Sequence, residues 1–163
     1  MLDNRKNFIL HQLNLEPIII KVMDKDEGLG WSFDHALEIS SEYRKFLVLC
    51  LNNPNIAIVP SSQVDDLWHF HILDTQKYAQ DSEECFGYFL HHFPYFGMRD
   101  KQDEKNLKDA WEITKSLYIQ EFSTLPEHLW LSSKRCPNCG RRIEGNEMFV
   151  EKRPSFSDFQ LHA

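Results

Sequence analysis

Residues 65–75 read DDLWHFHILDT, from Asp65 to Thr75, and whether they form a strand or a helix decides both fold and chemistry. On a strand, His69 and His71 would face the same way and could grip one metal together, because side chains alternate with period two. On a helix they point roughly 200° apart, and one metal could not easily use both. Local alternation does exist, with Trp68, Phe70 and Ile72 set against His69, His71 and Leu73. The helix signals outweigh it. Ser62 is placed to cap a helix, and Asp65 and Asp66 fall in the first turn, where the helix dipole favours negative charge. Val64, Leu67, Trp68, His71, Thr75 and Tyr78 then follow at helical spacing, which predicts one helix from Ser62 through Tyr78.

A helix divides the stretch into two faces. Asp65 and His69, four residues apart, project together, so the carboxylate can orient the imidazole or share a divalent metal with it. His71, Asp74 and Tyr78 lie on the other side, with Asp81 and Cys85 near the same line. A complete coordination shell needs donors from elsewhere, and His91-His92 is the obvious source. Adjacent residues diverge on any regular element, so one of that pair is expected at a given site.

Four of the eight histidines fall between His69 and His92, more than an ordinary helical domain requires. Imidazole and carboxylate donors suit zinc or non-haem iron. The expected centre joins His69 and His92 with Asp65 or His71, leaving the unused histidine and Tyr78 as candidates for proton transfer. Plainer roles compete. Asp65 also fits a capping arrangement with Ser62, His71 fits a core histidine bonded to Asp74 and Tyr78, and Cys85 fits a small buried hydrophobe.

Working outward, residues 3–14 suit a short helix with Phe8, Leu13 and Leu15 as apolar contacts, and Glu16-Pro17 starts a second one through Val22. Ser32 is a good N-cap for a long helix in which Phe33, Leu37, Tyr43, Phe46, Leu47, Cys50 and Leu51 recur at near 3 and 4 spacing. Asn52-Asn53-Pro54 stops it, and NIAIVP is extended. FGYFLHHFPYFG, with Gly87, Pro94 and Gly97, reads as a helix end followed by a packed loop. Lys101 to Phe122 returns to helix, with Leu107, Ala110, Trp111, Thr114, Leu117 and Tyr118 on one side. The fold class is therefore all-α, a compact bundle of five or six helices with a cysteine-containing C-terminal extension. Residues 1–126 form the helical domain carrying the His/Asp cluster, and 127–163 the extension.

That extension holds Cys136 and Cys139 in RCPNCGRR, with Pro137 and Gly140 shaping a knuckle that favours thiolates on zinc. It is half of a zinc-ribbon site. The missing ligands could come from His128, His162, Cys85 or a second subunit, so the tail is also a candidate surface for a protein partner or self-association. A free cysteine turn is the plain alternative, and nothing suggests the βαβ setting of a thioredoxin-like motif.

The chain of 163 residues is 42% hydrophobic and 13% aromatic, enough for a sizeable core. A net charge of −7 disfavours nucleic acid and anionic membrane as main partners. The start lacks a signal-peptide apolar region, and no apolar run approaches the roughly 18 residues of a spanning helix. Sparse cysteines suit a reducing cytoplasm. There is no Walker loop, dinucleotide fingerprint, nucleophile elbow or HExxH. Two functions compete: a small metalloenzyme built on the His/Asp cluster, and a non-catalytic interaction module with a structural zinc knuckle.

VDDLWHFHILDTQKYAQDS followed by CFGYFLHHFPYFGMRD resembles the glycine-rich domain-containing protein-like family, specifically its short bacterial members. There a V-D-x-x-W-H-x-H core precedes Y-x-x-D-C and H-H-x-P elements. Val64, Asp65, Trp68, His69, His71, Tyr78, Asp81, His91, His92 and Pro94 match position by position. The resemblance is specific over about residues 60–99 and looser from Trp31 to Phe122. One position departs: D-C is Asp81-Ser82 here, so a thiol there cannot be essential. The resemblance implies a functional group in Asp65, His69, His71 and His92 without supplying a reaction.

Overall fold

The computed structural model describes residues 2–130, 140–141 and 153. The chain runs α1 (Leu2–Asn7), a π-helical turn (Phe8–Gln12), α2 (Glu16–Met23), α3 (Phe33–Asn52), α4 (Ser62–Leu73), α5 (Thr75–Phe86), β1 (His92–Phe93), α6 (Lys101–Phe122), α7 (Glu127–Trp130) and β2 (Gly140–Arg141). The all-α expectation holds. Among the described residues the one departure is a two-residue antiparallel ladder in which His92 pairs with Arg141 and Phe93 with Gly140. No helix among the described residues is long and apolar enough to cross a membrane.

The first segment is not one regular helix. The Leu13 amide bonds to the Phe8 carbonyl at 2.9 Å, a π-type spacing. The reason lies on α3, where Arg44 donates from its two terminal nitrogens to the carbonyls of Ile9 and Leu13, both at 2.8 Å. The guanidinium takes the Ile9 carbonyl that an α-helical Leu13 amide would use, so the turn widens by one residue.

Helix α3 is the central element. Ser32 caps it by accepting from the His35 amide, as its sequence position predicts. Ala36, Ile39, Tyr43, Phe46, Leu47 and Cys50 are buried along it, whereas Phe33 and Leu37, expected on the same face, are exposed. Its other side buries Glu42, which accepts from Lys45 Nζ (2.7 Å), Tyr118 Oη (2.7 Å) and Trp130 Nε1 (3.5 Å). Trp130 also stacks on Trp111 at 5.3 Å between ring centres, so the packed core continues into α7. Thr114 on α6 accepts from the Val59 amide and thereby ties the extended NIAIVP link to the bundle.

The predicted single helix from Ser62 to Tyr78 is instead two. Ser61, not Ser62, is the N-cap, and the helix breaks at Asp74, which ends α4 and caps α5 by accepting from the Lys77 amide. An Asp side chain that bonds its own downstream amide competes with the helical ladder, which is why the chain turns here despite unbroken apolar spacing. The turn packs α5 back against α4 and returns Tyr78 and Asp81 to the level of Trp68 and His71. Gly87, with φ +79, ends α5 in the left-handed conformation that glycine adopts freely.

Candidate metal centre

Three donors converge on one spot. Asp65 is 1% exposed on the inner side of α4's first turns. One turn later His69 places Nδ1 3.3 Å from Asp65 Oδ2, with its own side chain 43% exposed. From β1, His92 places Nε2 3.1 Å from Asp65 Oδ1, its side chain mostly buried. The two imidazoles face each other at 4.6 Å between ring centres. One ligand atom from each residue lies within 4.8 Å of the others. A tetrahedral site with bonds of about 2.0–2.1 Å has edges of about 3.3 Å, so the donors would draw together to seat an ion. Helix α4 supplies the i, i+4 pair, and the loop after α5 carries the third donor across it.

The charge balance at Asp65 is unusual within this protein. Of the buried carboxylates, Glu42 pairs with Lys45, Asp81 with Lys77 and Asp103 with Arg99. Asp65 is the most deeply buried of these four, and its ion-pair contacts among the residues whose side chains are described are both to imidazoles. A buried carboxylate is stabilised by compensating positive charge, and a cation bound between the two imidazoles would supply it. Next to it, burial pushes the Asp66 carboxyl upward, and the Asp65 charge adds to that while His69 opposes it.

His71 lies elsewhere. It is 2% exposed, with Nε2 2.8 Å from Asp81 Oδ2 and Nδ1 2.9 Å from Tyr43 Oη. A carboxylate only accepts, so Nε2 carries a hydrogen and donates to Asp81, while Nδ1 shares a hydrogen bond with the Tyr43 hydroxyl. Both nitrogens are engaged, and neither joins the Asp65 cluster. The sequence-based partners are Asp74 and Tyr78; the break at Asp74 gives His71 Asp81 instead, while Tyr78 touches it edge-on at 5.0 Å. Burial raises the Asp81 carboxyl, but hydrogen bonds from His71 and Lys77 outweigh this and hold it below the usual range.

Tyr78 sits behind Trp68. Its hydroxyl accepts from Trp68 Nε1 at 2.9 Å and donates to the Leu90 carbonyl, and burial holds the phenol well above its ordinary pKa. His91 is exposed and rests against the Phe89 ring, so the pair divides as expected, with His92 at the cluster. Ser82 is 2% exposed. Cys85 is 1% exposed and its thiol is pushed up to about 12 by burial, then by Asp81 and Glu84. His128 contacts Glu38 at 2.8 Å. Cys136, Cys139 and His162 lie outside the described residues.

Sequence patterning does not single out Tyr43 as a partner of a histidine, nor the Glu42–Tyr118–Trp130 group. Their contacts join residues 28 to 88 positions apart, and no local spacing signals them.

The described fold is thus an all-α bundle with a two-histidine, one-aspartate cluster at the junction of α4 and β1. The chain belongs to the UCP032817-like family, whose family model matches residues 5–122. That span includes Asp65, His69, His71, Tyr78 and His92 and stops short of Cys136 and Cys139. No curated protein and no solved structure matches the chain.

Proposed function

We propose that this protein binds a divalent transition metal, zinc or ferrous iron, through Asp65, His69 and His92, and that the ion serves a small-molecule reaction. The carrying observation is the pairing of Asp65: among the residues whose side chains are described, the most buried carboxylate is the one faced by two imidazoles. Two histidines and one carboxylate suit both metals, and three protein donors leave coordination positions for water or substrate. The half-exposed His69 side is the open side of the cluster. The resemblance to the glycine-rich domain-containing protein-like family supports grouping these residues.

A bound ion of this kind would supply a Lewis acid and an activated water near neutral pH. The chain's part is to hold the donors. Asp65 faces His92 Nε2 with one oxygen and His69 Nδ1 with the other, and an ion entering between them would take the place of these contacts. Trp68 covers one side of His92, at 4.5 Å between ring centres, and keeps water from that side. His71 and Tyr78, with their polar atoms committed inside the core, brace this arrangement in our reading rather than transfer protons.

The test is elemental analysis of protein purified without a histidine tag after growth in zinc- and iron-supplemented medium. The proposal expects about one equivalent of metal in wild type, lost in His69→Ala and kept in Cys136→Ser. Metal absent from wild type, or lost only in Cys136→Ser, would contradict it. In the latter case the zinc-knuckle reading of the tail takes its place.

A further inference from the structure

His92 reaches Asp65 from β1, a strand of two residues that follows the loop after α5, and a ligand on so short an element binds metal well only if its neighbours help to fix its position. Its neighbours supply that. The Tyr78 hydroxyl donates to the carbonyl of Leu90, two residues before His92, and accepts from Trp68 Nε1 at 2.9 Å. Trp68 lies one residue before His69 on α4, and its ring meets that of His92 at 4.5 Å. Trp68 is 0%, Leu90 1% and Tyr78 2% exposed, so water does not compete for these bonds. A single phenol thus links the helix bearing two donors of the cluster to the strand bearing the third. Tyr78 reaches this point only because the chain breaks at Asp74 and folds α5 back along α4.

We infer that Tyr78, acting through Leu90 and Trp68, is the positioning residue that sets His92 for metal binding. The inference rests on the metal-binding reading above. The two parts of the Tyr78 side chain act differently: the aromatic ring fills the core, while the oxygen fixes the backbone path into His92. Loss of the oxygen frees Leu90 and lets His92 rotate away from Asp65, with Asp65 and His69 unchanged. Outlying groups that orient a ligand typically change metal affinity about 10- to 100-fold when removed.

Titration with Co²⁺, read by its visible ligand-field spectrum and by affinity, tests the inference on the full chain. Tyr78→Phe keeps the ring and removes the oxygen. It should weaken Co²⁺ binding about 10- to 100-fold and alter the spectrum of the loaded protein. Tyr118→Phe is the control: it removes a buried hydroxyl from the Glu42 group, which shares no bond with His92, and should keep wild-type affinity and spectrum. Equal affinity and spectrum in wild type and Tyr78→Phe would overturn the inference, as would a Tyr118→Phe protein that loses as much affinity. Should Tyr78→Phe fail to fold, Trp68→Phe, which keeps a ring under His92 and removes the indole N–H, carries the same expectation. A wild type that binds no Co²⁺ would refute the metal-binding reading itself.

Discussion

His92 Nε2 and Asp65 Oδ1 meet at 3.1 Å across 27 residues of chain, and this contact closes the cluster that α4 alone leaves open. Asp65 and His69 share a helical face by local geometry. His92 joins them only because α5 folds back and the following loop crosses α4. Asp65→Asn keeps the shape and removes the charge. It should lower metal affinity by more than about 100-fold, beyond the usual effect of residues that merely orient ligands. Isothermal titration with Zn²⁺ or Co²⁺ at pH 7 measures this, and near wild-type affinity would exclude Asp65 as a ligand.

Asp81 predicts an acid-dependent term in stability. Its carboxyl is held below the ordinary value in the folded protein, with His71 and Lys77 donating to it and outweighing burial. A depressed folded-state pKa contributes stability above the unfolded value of about 3.9, lost as pH falls through the folded value. Wild type should therefore exceed Asp81→Asn in stability at pH 6, and the gap should shrink below about pH 4. Urea melts of both proteins across that range test it, and a gap that widens in acid would refute the assignment.

Cys50 and Cys85 should resist alkylation in the native state. Both are buried, and the Cys85 thiol is pushed up to about 12, leaving almost no thiolate at pH 8. Iodoacetamide treatment followed by peptide mass spectrometry should find both unmodified until denaturant is added. Rapid native labelling of Cys85 would place it at an accessible site, which its packing does not allow.

Glu42→Ala should cost about 3 kcal/mol, because Tyr118 Oη and Trp130 Nε1 lose a buried acceptor and Lys45 its partner. Thermal or urea unfolding measures this. Metal affinity should stay at the wild-type level, since none of these groups touches the cluster.

Much of the fold is legible in the sequence because most helices announce themselves locally. Ser32 before α3, Pro17 at the start of α2 and the apolar face of α6 are all short-range signals, and each element appears where they predict it. The break at Asp74 is not legible. Apolar spacing runs through it unbroken, and only the capping bond to Lys77 reveals that the backbone turns. That single turn explains why His71 has partners other than those its spacing suggests. Separation of the two histidines of HFH follows from helical geometry, and the division of His91 from His92 from the divergence of adjacent residues. Arg44 on the carbonyls of Ile9 and Leu13, and Tyr43 on His71, depend on helix packing that no local pattern encodes.

The most direct test of the central claim is a crystal structure of zinc- or iron-loaded protein, with anomalous scattering recorded at the metal's absorption edge. The account predicts an anomalous peak about 2.0–2.2 Å from Asp65, His69 Nδ1 and His92 Nε2, with solvent in the remaining positions. A peak confined to Cys136 and Cys139, or fully loaded crystals with no peak between these three side chains, would contradict it.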